Sequence, residues 1–426
     1  MTAVFAVIIF ASISPGKASG QGIFLPGSGA VNRGMGGATT GAAIEAIGSM
    51  YWNPSTIVHL PTNEVAFGFE AIYSNYSNYS ISSTFPGAGS GFTDAENGAT
   101  PVPTIAWVHH TDNPNVTLGL GIFGVAGFSV NMRGDATNPI VSPPFALGGA
   151  GVGGIKSDAI FFQMNPAISL KLTDRLSFGF GPTIGMGKIP LDDNAFVPPN
   201  INGLYPRGDG TRYHWGLGAQ AGFHYIHNAQ WQFGTNIKTP TWFEPFRYSS
   251  EDATGLPRTD KIDVTLPLII SSGVSYQGLP GAILTADVRF LNYDDTKGLG
   301  TSGGYRADGS VNGLGYRDQF AAAFGAQFDL GDKLTGRIGY MYASELIKDE
   351  DTFFNVASDL SYQHVTGCGM TFHLSQNASI SAAYNYLWEW GSTGPYNLPG
   401  IGPVPGSQVA IKADTHIATI GVNVRY

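Results

Sequence analysis

The stretch S379-ISAAYNYLWE-W390 alternates strictly. Ile380, Ala382, Tyr384, Tyr386, Trp388 and Trp390 fall on one face at two-residue spacing, and Ser381, Asn385 and Glu389 fall on the other. Successive side chains of a strand point to opposite sides, so this segment is a strand with one apolar, aromatic-rich face and one polar face. A soluble sandwich and a membrane barrel share that pattern, and the connections between such segments decide between them.

Working outward, similar alternation recurs from about residue 62 to the C-terminus, and predicts strands near 62–82, 103–109, 116–133, 155–172, 176–190, 212–227, 231–247, 260–277, 283–299, 318–328, 335–343, 360–374, 379–390 and 407–426. The count is about fourteen, an even number. The connections HTDNPN, TDR, NAQ, GLPG, GDK and SQNA are tight, and those at 83–102, 134–154, 191–211, 248–259, 300–317, 344–359 and 391–406 are long. Short and long connections take turns, as in an outer-membrane barrel with short periplasmic turns and longer extracellular loops. The last strand puts His416, Ala418, Ile420, Val422, Val424 and Tyr426 on one face.

Composition agrees. Charged residues are 12% of the 426, against about 25% in soluble domains, while aromatic residues reach 12% and glycines number 59. After the first twenty residues no apolar run of about 18 appears, so helices do not cross a membrane here. The opening MTAVFAVIIFASIS, followed by small residues to Gly20, reads as a secretory signal over 1–20, although it lacks a basic start. A lone Cys368 leaves no internal disulfide, and a net charge of -9 offers nucleic acid no basic patch.

On the strand at 283–299, Leu284, Ala286, Val288 and Phe290 face lipid while Thr285, Asp287 and Arg289 face inward. Gly216, Gly218 and Gly222 lie on an inner face, where a missing side chain leaves room for a plug. The leading segment 21–60 supplies a candidate, rich in small residues from Gly34, Gly36 and Gly37 to Gly41 and ending in YWNPSTIVHL. Its glycines do not make a dinucleotide loop, because Thr39 stands where the third glycine belongs and no buried strand precedes them.

Catalytic groupings are sparse. His109 and His110 point to opposite faces, His214 and His224 are about 33 Å apart along one strand at roughly 3.3 Å per residue, and no G-x-S-x-G elbow occurs. The acidic DEDTFF at 349–354 reads as solvated loop charge, with calcium binding as the alternative. Cys368 falls on the lipid face with Thr366, Met370 and Phe372, and Trp242, Phe243 and Phe246 read as interface aromatics. No metal or cofactor site is expected.

The segment closing on Asn53-Pro54-Ser55, FFQMNPAISLKLTDRLSFGFG at 161–181, LPLIISSGVSYQGLPGAILTADVRFLNYDD at 266–295 and the closing strands together resemble the FadL/TodX family of outer-membrane transporters of hydrophobic compounds. The resemblance implies a transmembrane antiparallel β-barrel over 61–426 with a small helical hatch at 21–60, in the outer membrane of a Gram-negative-type bacterium. It implies passive uptake of long-chain fatty acids or other lipids and hydrocarbons by a non-enzymatic monomer, with membrane lipid and the barrel-assembly machinery as its other partners. A water-filled porin for polar solutes and, less readily, a barrel enzyme are the rival readings.

Site residues follow from the resemblance. Phe24 and Leu25 of the N-terminal segment, Phe123 and Phe128 of an early strand, and Phe145, Leu147, Phe196, Val197 and Leu204 of two loops are the ligand-contact candidates. Apolar alternation through Leu118, Leu120 and Ile122 fails at Gly124 to Gly127, which makes Gly124 and Gly127 candidates for a lateral gate, although the proline-phenylalanine-glycine often found nearby in the family is here Val125-Ala126-Gly127. Arg33 and Glu45 should find lumenal partners, with Glu64, Glu70, Asp287, Arg289 and Glu389 as the inward charges to search, and Asn53-Pro54 should end the last hatch helix.

Overall fold

The computed structural model describes residues 23–73, 79–200, 202–208, 212–251, 254, 256–358 and 362–426. The expected signal over 1–20 lies outside them. Fourteen long strands make one closed antiparallel barrel: β1 Glu64–Tyr73, β2 Ala99–His110, β3 Val116–Met132, β4 Ile155–Lys171, β5 Leu176–Lys188, β6 His214–Ile226, β7 Trp231–Lys238, β8 Leu268–Leu279, β9 Ala282–Asn292, β10 Gln319–Asp329, β11 Leu334–Ala343, β12 His364–His373, β13 Ala378–Gly394 and β14 Gln408–Arg425. Closure comes from β14 pairing with β1, from Glu64↔Arg425 to Tyr73↔His416. Closure removes the unpaired edges that hydrocarbon cannot hydrate.

Alternation sets the two faces. Phe67, Phe69, Trp215, Leu217, Val288, Phe324, Ile338 and Ile420 are exposed on the outer wall, and the residues between them are buried on the lumen side. Trp390 departs from the expected face. The register of β13 against β14 shifts between Leu387 and Trp390, so Trp388 stays outside, Trp390 turns inward and is buried, and Glu389 is exposed, with Lys412 at 3.0 Å. An inserted residue flips every side chain beyond it. Phe243 and Phe246 likewise leave the expected outer girdle. β7 ends before Thr239-Pro240, where proline cannot donate to the ladder, and beyond it Phe243 and Phe246 pack edge-on against Phe161 inside, at 5.5 and 6.3 Å, while Trp242 stays exposed.

Loops carry their own structure, with hairpins at Phe246–Glu251 with Pro257–Ile262 and at Tyr79–Phe85 with Gly89–Asp94. The turn Asp349–Asn355 is solvated charge only in part: Asp349 and Glu350 are exposed, whereas Asp351, Phe353 and Phe354 are buried.

Inside the barrel lie helix α1 (Ala30–Gly34), helix α2 (Ala46–Trp52) and the 3-10 turn Pro54–His59, nearly all buried. Small residues on both sides allow the contact. A Cβ on Gly36, itself at φ +63°, would meet the Tyr340 nitrogen at 2.7 Å, and one on Gly41 would meet the Gly273 carbonyl oxygen at 2.6 Å. The glycines of this segment therefore serve backbone-to-backbone packing on the inner wall.

Candidate functional site

The plug is held by charge and by polar contacts from Asn53, Ser169, Ser177, Tyr362 and Asn385. Arg33 makes a buried ion pair with Glu70, whose other oxygen accepts from the Gly29 N–H at 2.7 Å. Glu45 finds no lumenal cation within ion-pair distance among the described residues. Its carboxylate instead accepts from the N–H groups of Ile47 (2.7 Å) and Gly48 (2.6 Å), capping α2. A side-chain N-cap stabilises a helix by about 1 kcal/mol and suits an anion at the positive end of the helix. Asp287 binds Arg289 at 3.1 Å and accepts from the Thr40 N–H and hydroxyl. Glu64 accepts from the Ala46 N–H at 2.7 Å and lies 3.6 Å from Arg425.

Asn53 ends α2. Its side-chain oxygen accepts from Ser55, and its amide donates to the Thr40 and Phe223 carbonyls, both at 3.0 Å, joining plug to wall; Pro54 opens the following 3-10 turn.

The wall has a window. β2 pairs with β1 along its whole described length, but with β3 only from His110↔Thr117 to Ile105↔Ile122. Beyond Ile122 the ladder between β2 and β3 is absent until Glu96 N–H meets the Asn131 carbonyl at 2.7 Å. On its other side β3 keeps pairing with β4, with a register shift between Gly124 and Ala126 that leaves Val125 as the extra residue. The N-terminal segment enters this window: Leu25 N–H donates to the Val125 carbonyl (2.9 Å), Gly127 N–H donates to the Ile23 carbonyl (3.1 Å), and Phe24 bridges Ala126. A recess of about 650 Å³, counting the open space at its mouth, follows the gap, lined by Leu25, Val102, Gly124, Gly127 and Phe128 among others.

A larger cavity of about 1140 Å³, counting its open mouth, lies among the long loops. Its lining is mostly apolar, with Phe161, Ile189, Phe196, Tyr305, Phe353 and Phe354 among its members, and Phe128 lines both this cavity and the window recess. Two polar groups of the lining are used internally. Ser157 donates to the Ala357 carbonyl and Tyr205 to the Gly309 carbonyl at 2.8 Å. Asp193 lines the mouth, its carboxyl pushed up to about 6 by burial and by the neighbouring Asp192.

The candidates named from sequence therefore separate. Phe128 and Phe196 meet in the loop cavity; Leu25, Gly124, Gly127 and Phe128 meet at the window. Phe24 and Phe123 are buried beside the plug, Phe123 edge-on to Tyr51 at 5.3 Å, and Val197 is buried behind Phe196. Phe145 and Leu147 are exposed, and neither they nor Leu204 line either space. Phe161, Tyr305, Phe353 and Phe354 were missed. The paired aromatics of DTFFNV were the available signal, hidden by the acidic residues before them.

A closed fourteen-strand barrel with an apolar outer band, a plugged lumen and an apolar cavity above the plug defines an outer-membrane transport barrel. The model of the outer membrane protein transport family (OMPP1/FadL/TodX) matches residues 12–426, and the chain belongs to that family. No curated protein sequence matches it. Among solved structures, the Pseudomonas putida toluene transporter TodX is similar at 15% identity and TM-score 0.68, covering 94% of this chain and 99% of that one. A Pseudomonas aeruginosa FadL homologue is similar at 14% identity and TM-score 0.69, covering 95% and 99%. The Ralstonia pickettii toluene transporter TbuX is similar at 16% identity and TM-score 0.65, covering 94% and 99%. At these identities the likeness is one of fold.

Proposed function

We propose that the protein carries hydrophobic small molecules, long-chain fatty acids or other lipids and hydrocarbons, passively across the outer membrane and performs no chemistry on them. An apolar solute is stopped by the polar saccharide layer outside and not by hydrocarbon, so a carrier need only shelter it past that layer. The observation that carries this reading is the apolar loop cavity joined through Phe128 to the window between β2 and β3. Capture occurs at the loops, residence in the cavity, and release sideways into membrane lipid when the segment around Phe24 and Leu25 leaves Val125. In this reading residues 1–20 are a cleaved signal, 21–60 the hatch and 61–426 the barrel, which the barrel-assembly machinery inserts as a monomer. The toluene carried by TodX and TbuX, as their names state, is of the same apolar class.

Native mass spectrometry of the detergent-purified protein tests it. A copurified or added hydrophobic compound should remain bound, and Phe354→Ala should weaken it, because truncating a buried aromatic removes about 3–5 kcal/mol of packing. Failure to retain any apolar compound, with liposome swelling in sugars instead, would assign the barrel to polar solutes.

A further inference from the structure

A polar cleft opens among the long loops beside the apolar cavity, on the side that in an outer-membrane barrel lies outside the cell. It holds about 880 Å³, counting its open mouth, which is within the range of small-ligand sites. The loop after β9 contributes Asp294 and Ser302, the turn Asp349–Asn355 contributes Glu350 and Asp351, and the small hairpin of Asn397–Leu398 with Gly402–Pro403 contributes Asn397. Arg317 and Lys348 also line it. Phe354 lines both this cleft and the apolar cavity, so one turn shows a carboxylate to one space and aromatic rings to the other.

Asp351 is the buried carboxylate of the cleft. It is 7% exposed, and no cation lies within ion-pair distance of it among the described residues. Arg317 is taken by Glu345 at 2.6 Å, and Lys348 by Glu350 at 3.7 Å. The Asp351 carboxylate accepts from the Gly303 N–H. A Cβ on Gly303, or on Gly315 at φ +72°, would collide with its oxygens, so glycines hold open the slot in which it stands. A carboxylate taken from water without a counter-charge is costly unless further donors reach it.

The rest of the lining decides what brings those donors. Asp294, Glu350 and Asp351 together repel an anion. A metal ion would meet the Arg317 and Lys348 cations, and no three carboxylate, imidazole or thiol groups converge among the described residues. Carboxylates stand here beside an ammonium, a guanidinium and the Asn397 amide, and a mixture of acceptors and donors matches hydroxyl groups, which both donate and accept. We propose that this cleft binds a neutral sugar ring, with the Asp351 carboxylate accepting from neighbouring hydroxyls and the Asn397 amide and Lys348 ammonium meeting others. A hexose of the lipopolysaccharide around the loops and a free monosaccharide share this chemistry. The site uses no residue of the window and stands apart from the transport reading.

Calorimetry and saturation-transfer NMR on the full-length protein in detergent test it, with delipidated lipopolysaccharide core oligosaccharide, the same oligosaccharide after dephosphorylation, and glucose as probes; heat-modifiable gel migration confirms that each variant is folded. Ser302→Trp fills the cleft from an exposed position and leaves Asp351 in place, and Asp351→Asn removes the acceptor charge. Oligosaccharide binding that survives dephosphorylation and weakens about tenfold or more in both variants supports a lipopolysaccharide sugar. Glucose binding as tight as that of the oligosaccharide, with the same losses, supports a free sugar. The site is overturned if no saccharide binds, if binding disappears on dephosphorylation, or if either variant leaves the affinity unchanged. Calcium binding that Asp351→Asn abolishes, with no saccharide bound, would likewise overturn it in favour of a cation. Methyl decanoate reports on the apolar cavity alone, so its failure to bind counts against the transport reading and not against the sugar site.

Discussion

The backbone N–H of Leu25 donates to the carbonyl of Val125 at 2.9 Å, so the N-terminal segment pairs with β3 at the residue that bulges it. A ladder that loses its strand partner at Ile122 regains one from a segment that precedes the barrel. That replacement pairing is short, two backbone hydrogen bonds around buried Phe24 and Leu25, and its release is what the proposed sideways exit requires.

The side chains of this segment should matter for transport and not for assembly. Phe24 and Leu25 are both buried, and truncating such side chains removes about 2–5 kcal/mol of packing each. Phe24→Ala with Leu25→Ala is expected to reduce uptake while the barrel reaches the membrane at normal levels. Unchanged uptake at matched expression would detach the segment from the pathway.

The window should close when filled. A Cβ on Gly124 would meet Val102 Cγ1 at 2.3 Å, and one on Gly127 would meet the Ala159 carbonyl oxygen at 2.6 Å. Gly124→Val is expected to fill the recess and slow release, leaving binding in the loop cavity intact. Gly127→Val presses on the β4 backbone and should also lower thermal stability. Wild-type transport rates in both variants would place release elsewhere.

Plug retention rests on the buried pair of Arg33 and Glu70. Removing one member strands the other charge in the lumen, which costs about 3–5 kcal/mol. Arg33→Met should therefore raise hydrogen exchange across residues 23–60 while the barrel strands stay protected. Adding Glu70→Gln should restore much of that protection. Equal exchange in the single and double variants would mean that the pair does not hold the plug.

The loop cavity should respond to pH. Burial, and then Glu350, push the Asp351 carboxyl up to about 6, above its ordinary value, while Lys348 and Arg317 pull it down. A carboxyl raised in the folded loop favours that fold fully below its ordinary value and loses the contribution as pH rises through about 6. Asp193 at the mouth shifts the same way. Binding of a neutral ligand such as methyl decanoate is expected to weaken from about pH 4 to about pH 7 and to level off above, and Asp351→Asn should flatten the curve. A slope of the opposite sign would contradict the loop packing described here.

Much of this was legible in the sequence. Period-two alternation placed the strands, and alternating turn lengths placed their two ends, because a lipid-facing and a lumen-facing side leave that signature in every strand. Irregularities were not legible. The extra residue near Trp388 moves Trp390 inward, and Thr239-Pro240 turns Phe243 and Phe246 inward against Phe161, yet neither changes local composition. The loop cavity was the least readable part. Phe161, Tyr305 and Phe353 come from separate loops and strands whose pairing is tertiary, and loop aromatics carry no period. The charges that hold the plug were legible as inward-facing residues, but not that Glu45 would cap its own helix.

The most direct test of the central claim is uptake of radiolabelled oleate, hexadecane and toluene by cells lacking their own hydrophobic-compound carriers, comparing wild type with Gly124→Val and Phe354→Ala at matched outer-membrane levels. At least one apolar compound should enter faster with the wild-type protein, and both variants should lower that rate without admitting sugars. No acceleration for any of them, together with sugar permeation through the wild-type barrel, would contradict it.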